Sequence, residues 1–351
     1  MQKNSIYSFT YLQWGELLKL EGASPGVLDF WIEGIFKNRS IWDKHISPKL
    51  IVQLQEKYHF DLPKITKVSE AKDGTVKFLV AFTDGMEVET VLIPFIKRYT
   101  VCLSSQVGCG MNCSFCYTGT QGLKRNLTAG EIIGQYLVAS QFLKEKDSKV
   151  QNPSVVFMGQ GEPLHNFSEL EQAIKILTDT RLIDIGRSQI TLSTVGHLPG
   201  LAKLKESSIP RINLALSLHS PFQNERSKLI PVNEKYPLPE VIEAMELIAS
   251  EKEQYITYEY LLIKNFNMDD KHVEGLRELL KGRKSMVNLI PFNPFPGSTW
   301  ERPSEDDVDT FKNKLVENKI RVFVRTTKGS DILAACGQLK VDKLARKNGS
   351  D

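Results

Sequence analysis

Long apolar runs are the first thing missing from this chain of 351 residues. No stretch approaches the ~18 consecutive apolar residues of a membrane span. The opening Met1-Gln-Lys-Asn-Ser-Ile-Tyr-Ser-Phe-Thr10 has no apolar core of secretory-leader length. A cytoplasmic protein with no membrane partner is therefore expected. Cysteine is scarce as well: there are five, an odd number, and three of them fall between Cys109 and Cys116. That tells against a secreted disulfide framework and fits a reducing compartment. Charge of one sign is also lacking, since 45 Lys and Arg stand against 42 Asp and Glu, leaving a net +3. Such a balance permits nucleic-acid binding without demanding it. No internal repeat or low-complexity block is present. What remains is 41% hydrophobic and 25% charged, an ordinary soluble composition with room for one large domain and a small one.

Along the chain, residues 1–62 carry helical periodicity. The apolar positions are Phe9, Leu12, Trp14 and Leu17-Leu18, then Val27-Leu28, Trp31-Ile32 and Ile35-Phe36, then Leu50-Ile51 and Leu54, with Gly22, Pro25, Asn38 and Pro48 as punctuation. Three short helices are implied, too few to bury a core alone, so they pack on the downstream chain or form a small substrate-facing cap. Residues 63–95 read as a β-hairpin extension, with segments at 64–68, 76–82 and 87–93 and Asp73-Gly74 and Asp84-Gly85 as turns. From 96 to 339, apolar runs at 100–103, 154–158, 189–193, 212–218, 257–263, 286–291 and 321–324 alternate with helical stretches at 129–145, 168–179, 199–206, 238–250, 270–281 and 305–318. Alternation of this kind predicts an α/β fold, a partial (β/α)6 barrel whose active residues cluster at the C-terminal ends of the strands. Residues 340–351 read as a charged, solvated tail.

The most informative stretch is Cys102-Leu-Ser-Ser-Gln-Val-Gly-Cys109-Gly-Met-Asn-Cys113-Ser-Phe-Cys116. Thiols separated by three and then two residues let one loop fold around a single iron–sulfur cube, leaving one iron without a protein ligand. Structural zinc and a redox disulfide are the alternatives. Zinc normally takes four closed ligands, however, and no CxxC or CxxH pair stands elsewhere. Beyond the run 154–158 comes Gly159-Gln-Gly161-Glu162-Pro163-Leu164, two glycines that admit a ligand to the backbone, then a strand-end carboxylate. Polar residues close three other strand runs: Ser193, Ser217-Leu218-His219, and Asn293 in Asn293-Pro-Phe-Pro-Gly297. Singly, each serves a cap or turn as readily as a ligand. On one barrel face they form a cofactor pocket. Cys102 and Cys336, the latter in Ala334-Ala-Cys-Gly-Gln-Leu339 with the look of a mobile loop, fall at or beyond the same rim, where a thiol is reactive rather than inert.

Together, Cys102 to Cys109, Gln121-Gly-Leu-Lys-Arg-Asn-Leu-Thr128, Gly161-Glu-Pro-Leu164, Asn288-Leu-Ile-Pro-Phe-Asn-Pro-Phe-Pro-Gly297 and Ala334 to Leu339 resemble the radical S-adenosylmethionine 23S rRNA adenine methyltransferases, the RlmN/Cfr family. The likeness runs from about Glu87 to Leu339 and is looser over the first 60 residues. It implies a 4Fe-4S cluster on Cys109, Cys113 and Cys116, with Phe115 beside the last ligand. S-adenosylmethionine would be bound around Gly161, Glu162, Ser193, Ser217, Leu218, His219 and Asn293. It also implies that Cys336 is methylated by one cofactor molecule, that a second, bound at the cluster, activates that methyl, and that the methylene is added to an adenine ring carbon. The counterpart of Cys102 then resolves the protein–RNA adduct through a disulfide with Cys336. Glu89 matches the family's acid/base carboxylate, although in isolation Glu87-Val-Glu89-Thr-Val is an exposed strand position.

A radical route suits the target, because adenine carbons 2 and 8 are electrophilic and resist ordinary methyl donors. The base must also be splayed into the pocket. Gly161 to Leu164, Asn293 to Gly297 and Arg325-Thr-Thr-Lys-Gly329 side with the carbon-2 branch. His219-Ser-Pro-Phe222 and Glu225-Arg-Ser-Lys-Leu229 side with the carbon-8 branch, whose members protect ribosomes from antibiotics. Gln160, Tyr117 and Leu333 depart from the family pattern. The implied partners are 23S rRNA, with tRNA as a second substrate, and a flavodoxin-type electron donor to a monomeric enzyme. A zinc-stabilised RNA-binding protein without catalysis is the alternative from another class.

Overall fold

Apolar periodicity in the first segment builds three helices, as expected. The computed structural model describes residues 3–24, 26–37, 47–96, 98–147, 150–251 and 254–341. Within them α1 (Tyr11–Leu20), α2 (Val27–Ile32) and α3 (Pro48–Lys57) surround Trp14 and Trp31, both fully buried with ring centroids 5.3 Å apart. Thr10 starts α1 with a capping box closed by Gln13. Of the expected breaks, Pro25 and Asn38 lie outside the described residues. The helices dock on the outer layer of the barrel: the Ser8 Oγ accepts from the Gly130 N–H at 3.1 Å, and Gln172 Nε2 donates to the Ser8 carbonyl at 2.8 Å. Among the described residues, none of this segment lines the cysteine cavity at the strand ends.

Three antiparallel strands come next, β1 (Lys64–Glu70), β2 (Val76–Ala81) and β3 (Glu87–Pro94). Asp73 and Asp84 make their turns, each Oδ1 accepting from the N–H two residues on at 2.9 Å. These strands do not stand apart as a hairpin. β3 pairs antiparallel with β4 (Tyr99–Cys102), placing Val91 opposite Cys102, so the extension continues the barrel's own sheet.

Parallel strands β5 (Ser154–Phe157), β6 (Ile190–Thr194), β7 (Asn213–Ser217), β8 (Ile256–Leu262), β9 (Ser285–Pro291) and β10 (Val322–Val324) then add in sequence order. Helices α4 (Ala129–Lys146), α5 (Phe167–Thr178), α6 (Leu198–Glu206), α7 (Gln223–Leu229), α8 (Leu238–Glu251), α9 (Asp270–Leu280) and α10 (Glu305–Glu317) fill the crossovers. Only α7 is unexpected; it is short and polar and shows no apolar stripe. From β4 to β10 the strands are parallel and joined by six crossovers, the layout of a partial barrel, and among the described residues β10 does not pair with β4. Packing drives this layering: α4 buries Ile132, Ile133, Tyr136, Ala139 and Leu143 against the sheet, each large side chain contributing about 1.5–3 kcal/mol on burial. All C-terminal strand ends therefore share one rim.

Candidate active site

At that rim one cavity, with about 900 Å³ of empty space, is lined by Cys109, Cys113 and Cys116 together with Gly161, Glu162, Ser193, Ser217, His219 and Cys336. The three-thiol loop is braced from both sides. Cys116 N–H donates to the Cys113 carbonyl at 3.1 Å, Ser114 N–H to the Leu229 carbonyl at 3.0 Å, and Phe115 packs edge-on against His219 at 4.6 Å. Burial pushes the Cys109 thiol up to about 12 and raises Cys113 and Cys116 as well. Buried thiols so reluctant to ionise alone want a strongly cationic ligand. Among the described residues no three His, Cys, Asp or Glu side chains form a group that could hold a metal ion. Three thiols on one loop facing one cavity are nonetheless the donor set of an iron–sulfur cluster that keeps one iron open.

Glu162 is buried, and its own chain holds it. Thr194 Oγ1 donates to Oε1 at 2.7 Å, the Leu164 N–H to Oε1 at 3.1 Å, and the Val195 N–H to Oε2 at 3.0 Å. Burial nonetheless raises its carboxyl to about 7, so an ammonium group arriving beside it would be welcome. The glycines before it face the cavity as expected and have a second purpose besides. A Cβ on Gly159 would lie 2.6 Å from the Leu103 carbonyl oxygen, and one on Gly161, at φ +103°, 2.6 Å from Gln106 Cβ. They make room for the chain's own 103–106 segment as well as facing the cavity.

His219 adopts a left-handed backbone, φ +60°. Its Nδ1 accepts from the Leu261 N–H at 3.0 Å, which leaves the ring proton on Nε2. Burial drops its pKa to about 3, so it is neutral. Ser193 and Ser217 face the cavity from β6 and β7. Leu218 does not; its side chain is fully buried in the core, and its N–H donates to the Glu259 carbonyl at 2.9 Å. Asn293 also stands apart, in a smaller adjoining cavity. There its Nδ2 donates to the Cys336 carbonyl at 3.2 Å, while Oδ1 accepts from Arg302 and Thr327.

That smaller cavity brings Cys102 and Cys336 together with Arg325, Met158 and Ile290. The loop around Cys336 is tied to its neighbours by hydrogen bonds. Tyr117 N–H donates to the Gly337 carbonyl at 2.7 Å, Thr118 Oγ1 to the Leu339 carbonyl at 2.6 Å, Gln338 Nε2 to the Pro294 carbonyl at 2.7 Å, and the Lys340 N–H to Glu89 Oε2 at 2.7 Å. Tyr117, one of the departures, stacks on Phe295 at 4.9 Å and lies under Lys340 Nζ. Lys340 and Val341, expected in the solvated tail, are thus held against the site; residues 342–351 lie outside the described residues. Glu89 is buried rather than exposed, because the C-terminal loop covers its face of the sheet, and Lys77 Nζ pairs with its Oε1 at 2.7 Å. Gln160, the departure from methionine, is satisfied by its neighbours: its Oε1 accepts from the Glu89 N–H at 3.0 Å, and its Nε2 donates to Gln121 Oε1 at 3.0 Å. Cys102 is at the rim as expected, but burial pushes its thiol up to about 12, so it is not reactive unaided.

Several site residues are not singled out by sequence. Glu259 lines the main cavity from β8, and a lone carboxylate inside Ile256-Thr-Tyr-Glu-Tyr-Leu-Leu262 is the available signal. Thr194, beside the selected Ser193, orients Glu162. Arg226 is fully buried and donates to the carbonyls of Val195, Ser217 and Leu218 and to Asn233 Oδ1. Its neighbour Glu225 pairs with Lys271 and His272. The Glu225 to Leu229 segment is therefore scaffold for the strand ends.

Comparison with known proteins matches residues 103–276 to the Radical SAM superfamily. The chain is 38% identical over 347 residues, 98% of this chain and 99% of the relative, to a probable dual-specificity RNA methyltransferase RlmN of Dictyoglomus thermophilum. It is 42% identical over 301 residues, 84% of this chain and 80% of the relative, to the dual-specificity RNA methyltransferase RlmN of Francisella tularensis subsp. novicida. Among solved structures it superimposes with a TM-score of 0.90 on a radical SAM methyltransferase from Sphaerobacter thermophilus, at 34% identity, covering 96% of this chain and 99% of that one.

Proposed function

Because this chain belongs to the RlmN dual-specificity RNA methyltransferases of the radical SAM superfamily, we propose that it methylates carbon 2 of an adenine in 23S rRNA, with tRNA as a second substrate. The observation that carries this reading is the convergence of the three-thiol loop, the Glu162 strand end and Cys336 on one cavity. Cys109, Cys113 and Cys116 hold the 4Fe-4S cluster. Glu162, Ser193, Ser217, His219 and the Gly161 backbone hold S-adenosylmethionine, with Leu218 supporting through its backbone and Asn293 through the Cys336 loop. When bound, this pair supplies both a methyl donor and a one-electron route to a carbon radical.

The protein's own residues do the rest. Cys336 carries the methyl group to the base from a loop whose carbonyls and amides are already spoken for, which fixes the direction of transfer. Glu89, held between Lys77 and the Lys340 N–H, takes the ring proton at carbon 2. Cys102 releases the product by attacking the Cys336 sulfur. Neutral His219 and the packed wall of Phe115, Leu261 and Ile290 exclude water from the radical chemistry. A flavodoxin-type protein would be the electron donor, and the enzyme acts as a cytoplasmic monomer. Among the described residues no helix is long and apolar enough to cross a membrane. Digesting 23S rRNA and tRNA from cells with and without the protein, and separating 2-methyladenosine from 8-methyladenosine by mass spectrometry, tests the reading. Loss of the 2-methyl product on deletion is expected, and loss of only the 8-methyl product overturns it.

A further inference from the structure

Three arginines serve this rim, and two of them are used up: Arg302 donates to the Pro291 and Phe292 carbonyls, Asn293 Oδ1 and Thr327 Oγ1. Arg226 spends its donors on three carbonyls and an amide oxygen. Arg325, at the C-terminal end of β10, is anchored through its own N–H to the Leu289 carbonyl at 2.8 Å. Its side chain stands in the wall between the main cavity and the smaller one that Cys102 and Cys336 line. Among the described residues its guanidinium meets one acceptor, Met158 Sδ, 3.6 Å from Nη1. A thioether is a weak acceptor, so a guanidinium with five donors is left facing two sulfurs.

We propose that Arg325 is a positioning residue for the sulfur–sulfur step, holding Cys102 as a thiolate against the sulfur of Cys336. This rests on the reading of Cys102 as the resolving thiol. In that step the Cys102 sulfur bonds to the Cys336 sulfur, and the bond from Cys336 sulfur to the methylene carbon breaks. Its electron pair goes to the carbon, which takes up a proton and becomes the methyl group. The two sulfurs are oxidised by two electrons, the carbon is reduced by the same two, and the proton lost by Cys102 balances the one gained. The attacking atom must be a thiolate. Burial works against this, whereas Arg325 pulls the other way; Cys336, which opposes ionisation as a free thiol, carries no charge once its sulfur is bonded to carbon. Reciprocally, Cys336, Glu259 and Cys102 all hold Arg325 in its charged form. Glu259 spends Oε2 on Asn288 Nδ2 at 2.9 Å, Glu89 on β3 is held by Lys77 of β2 and by the Lys340 N–H, and Lys328 lines the smaller cavity but not the main one. Arg325 is thus the cation placed to take up the negative charge. A planar fork of donors can span both sulfurs at once, which an ammonium cannot.

The test uses anaerobically reconstituted holoenzyme in a single turnover with a 23S rRNA fragment, comparing wild type, Arg325→Met, Arg325→Lys and Cys102→Ala. Arg325→Met is expected to keep the cluster spectrum and the methyl on Cys336, yet to accumulate a protein–RNA cross-link on denaturing gels, as Cys102→Ala does. Decay of that cross-link should quicken about tenfold per pH unit between pH 7 and 9, the slope of a thiol titrating below its pKa, while wild-type release changes less and Arg325→Lys lies between. Product release by Arg325→Met at the wild-type rate overturns the proposal. So does a cross-link whose decay ignores pH, or loss of the cluster or of the Cys336 methyl, which would make Arg325 a structural or cofactor-binding residue. If Cys102→Ala itself traps no cross-link, the resolving role fails first and the proposal falls with it.

Discussion

The protein keeps its thiols in two adjoining regions that solve the burial of sulfur differently. Cys109, Cys113 and Cys116 sit on one loop, spaced so that a single inorganic group can neutralise all of them. The buried cation Arg226 is committed to the strand-end carbonyls of Val195, Ser217 and Leu218. Cys102 and Cys336 come from opposite ends of the barrel sequence and meet in the smaller cavity beside Arg325, whose donors are not committed in this way. The first region is built for a permanent ligand, and the second for charge that comes and goes. Arg226, fully buried, and Arg325, partly exposed, thus do unlike work, and hydrogen-bond saturation goes with that difference.

Removing a thiol from the first region breaks the comparison most severely. Cys113→Ala should take iron from about four per chain to none and activity below detection, read by iron assay and electron paramagnetic resonance; full iron retention would remove Cys113 from the ligand set. Cys336→Ala should lose turnover just as completely but keep the cluster, with no methylated peptide by mass spectrometry. Full activity of that variant would contradict the methyl-carrier role. Arg226→Met leaves three carbonyls without their donor, a loss of about 3–5 kcal/mol. That should lower Tm by about 6–15 °C, whereas Arg325→Met should shift it by no more than about 2 °C. Equal shifts in calorimetry would erase the distinction between the two arginines. Thr194→Val removes one charge-assisted bond to Glu162, about 1.5 kcal/mol, and should weaken S-adenosylmethionine binding about tenfold in an equilibrium titration. The smallest effect is expected from Tyr117→Ala, which loses the Phe295 stack worth about 0.5–1.5 kcal/mol and should slow turnover about two- to tenfold.

Much of the molecule is legible in the sequence because its signals are local. The parallel strands fall within a residue or two of the apolar runs, since a buried strand cannot hide its period. Asp73-Gly74 and Asp84-Gly85 specify their turns through side chains bonding two residues ahead. Glu89 reads wrongly from sequence because the alternation of Glu87-Val-Glu89 says which residues share a face, but not whether a second layer covers that face. Here the C-terminal loop covers it, through the Lys340 N–H. The same contact helps tie the Cys336 loop, rich in small residues, to its neighbours: its partners lie more than 200 residues away at Thr118 and Glu89. Arg226 and Glu259 evade a sequence reading for a related reason. A charged residue in an apolar or scaffold segment announces burial, but its purpose depends on which non-local carbonyls or cavities meet it.

The sequence by itself determined the three-thiol loop, the six crossovers and hence the existence of a single catalytic rim. Ligand spacing, helix caps and apolar period all act over a few residues and are written directly in the chain. Only the tertiary structure decided that Cys102 and Cys336 share a cavity, that Glu89 is buried against Lys77, and that Arg226 is saturated while Arg325 is not. Those outcomes depend on groups far apart in sequence competing for the same donors and the same shielded volume, and that competition exists only once the sheet has brought them together.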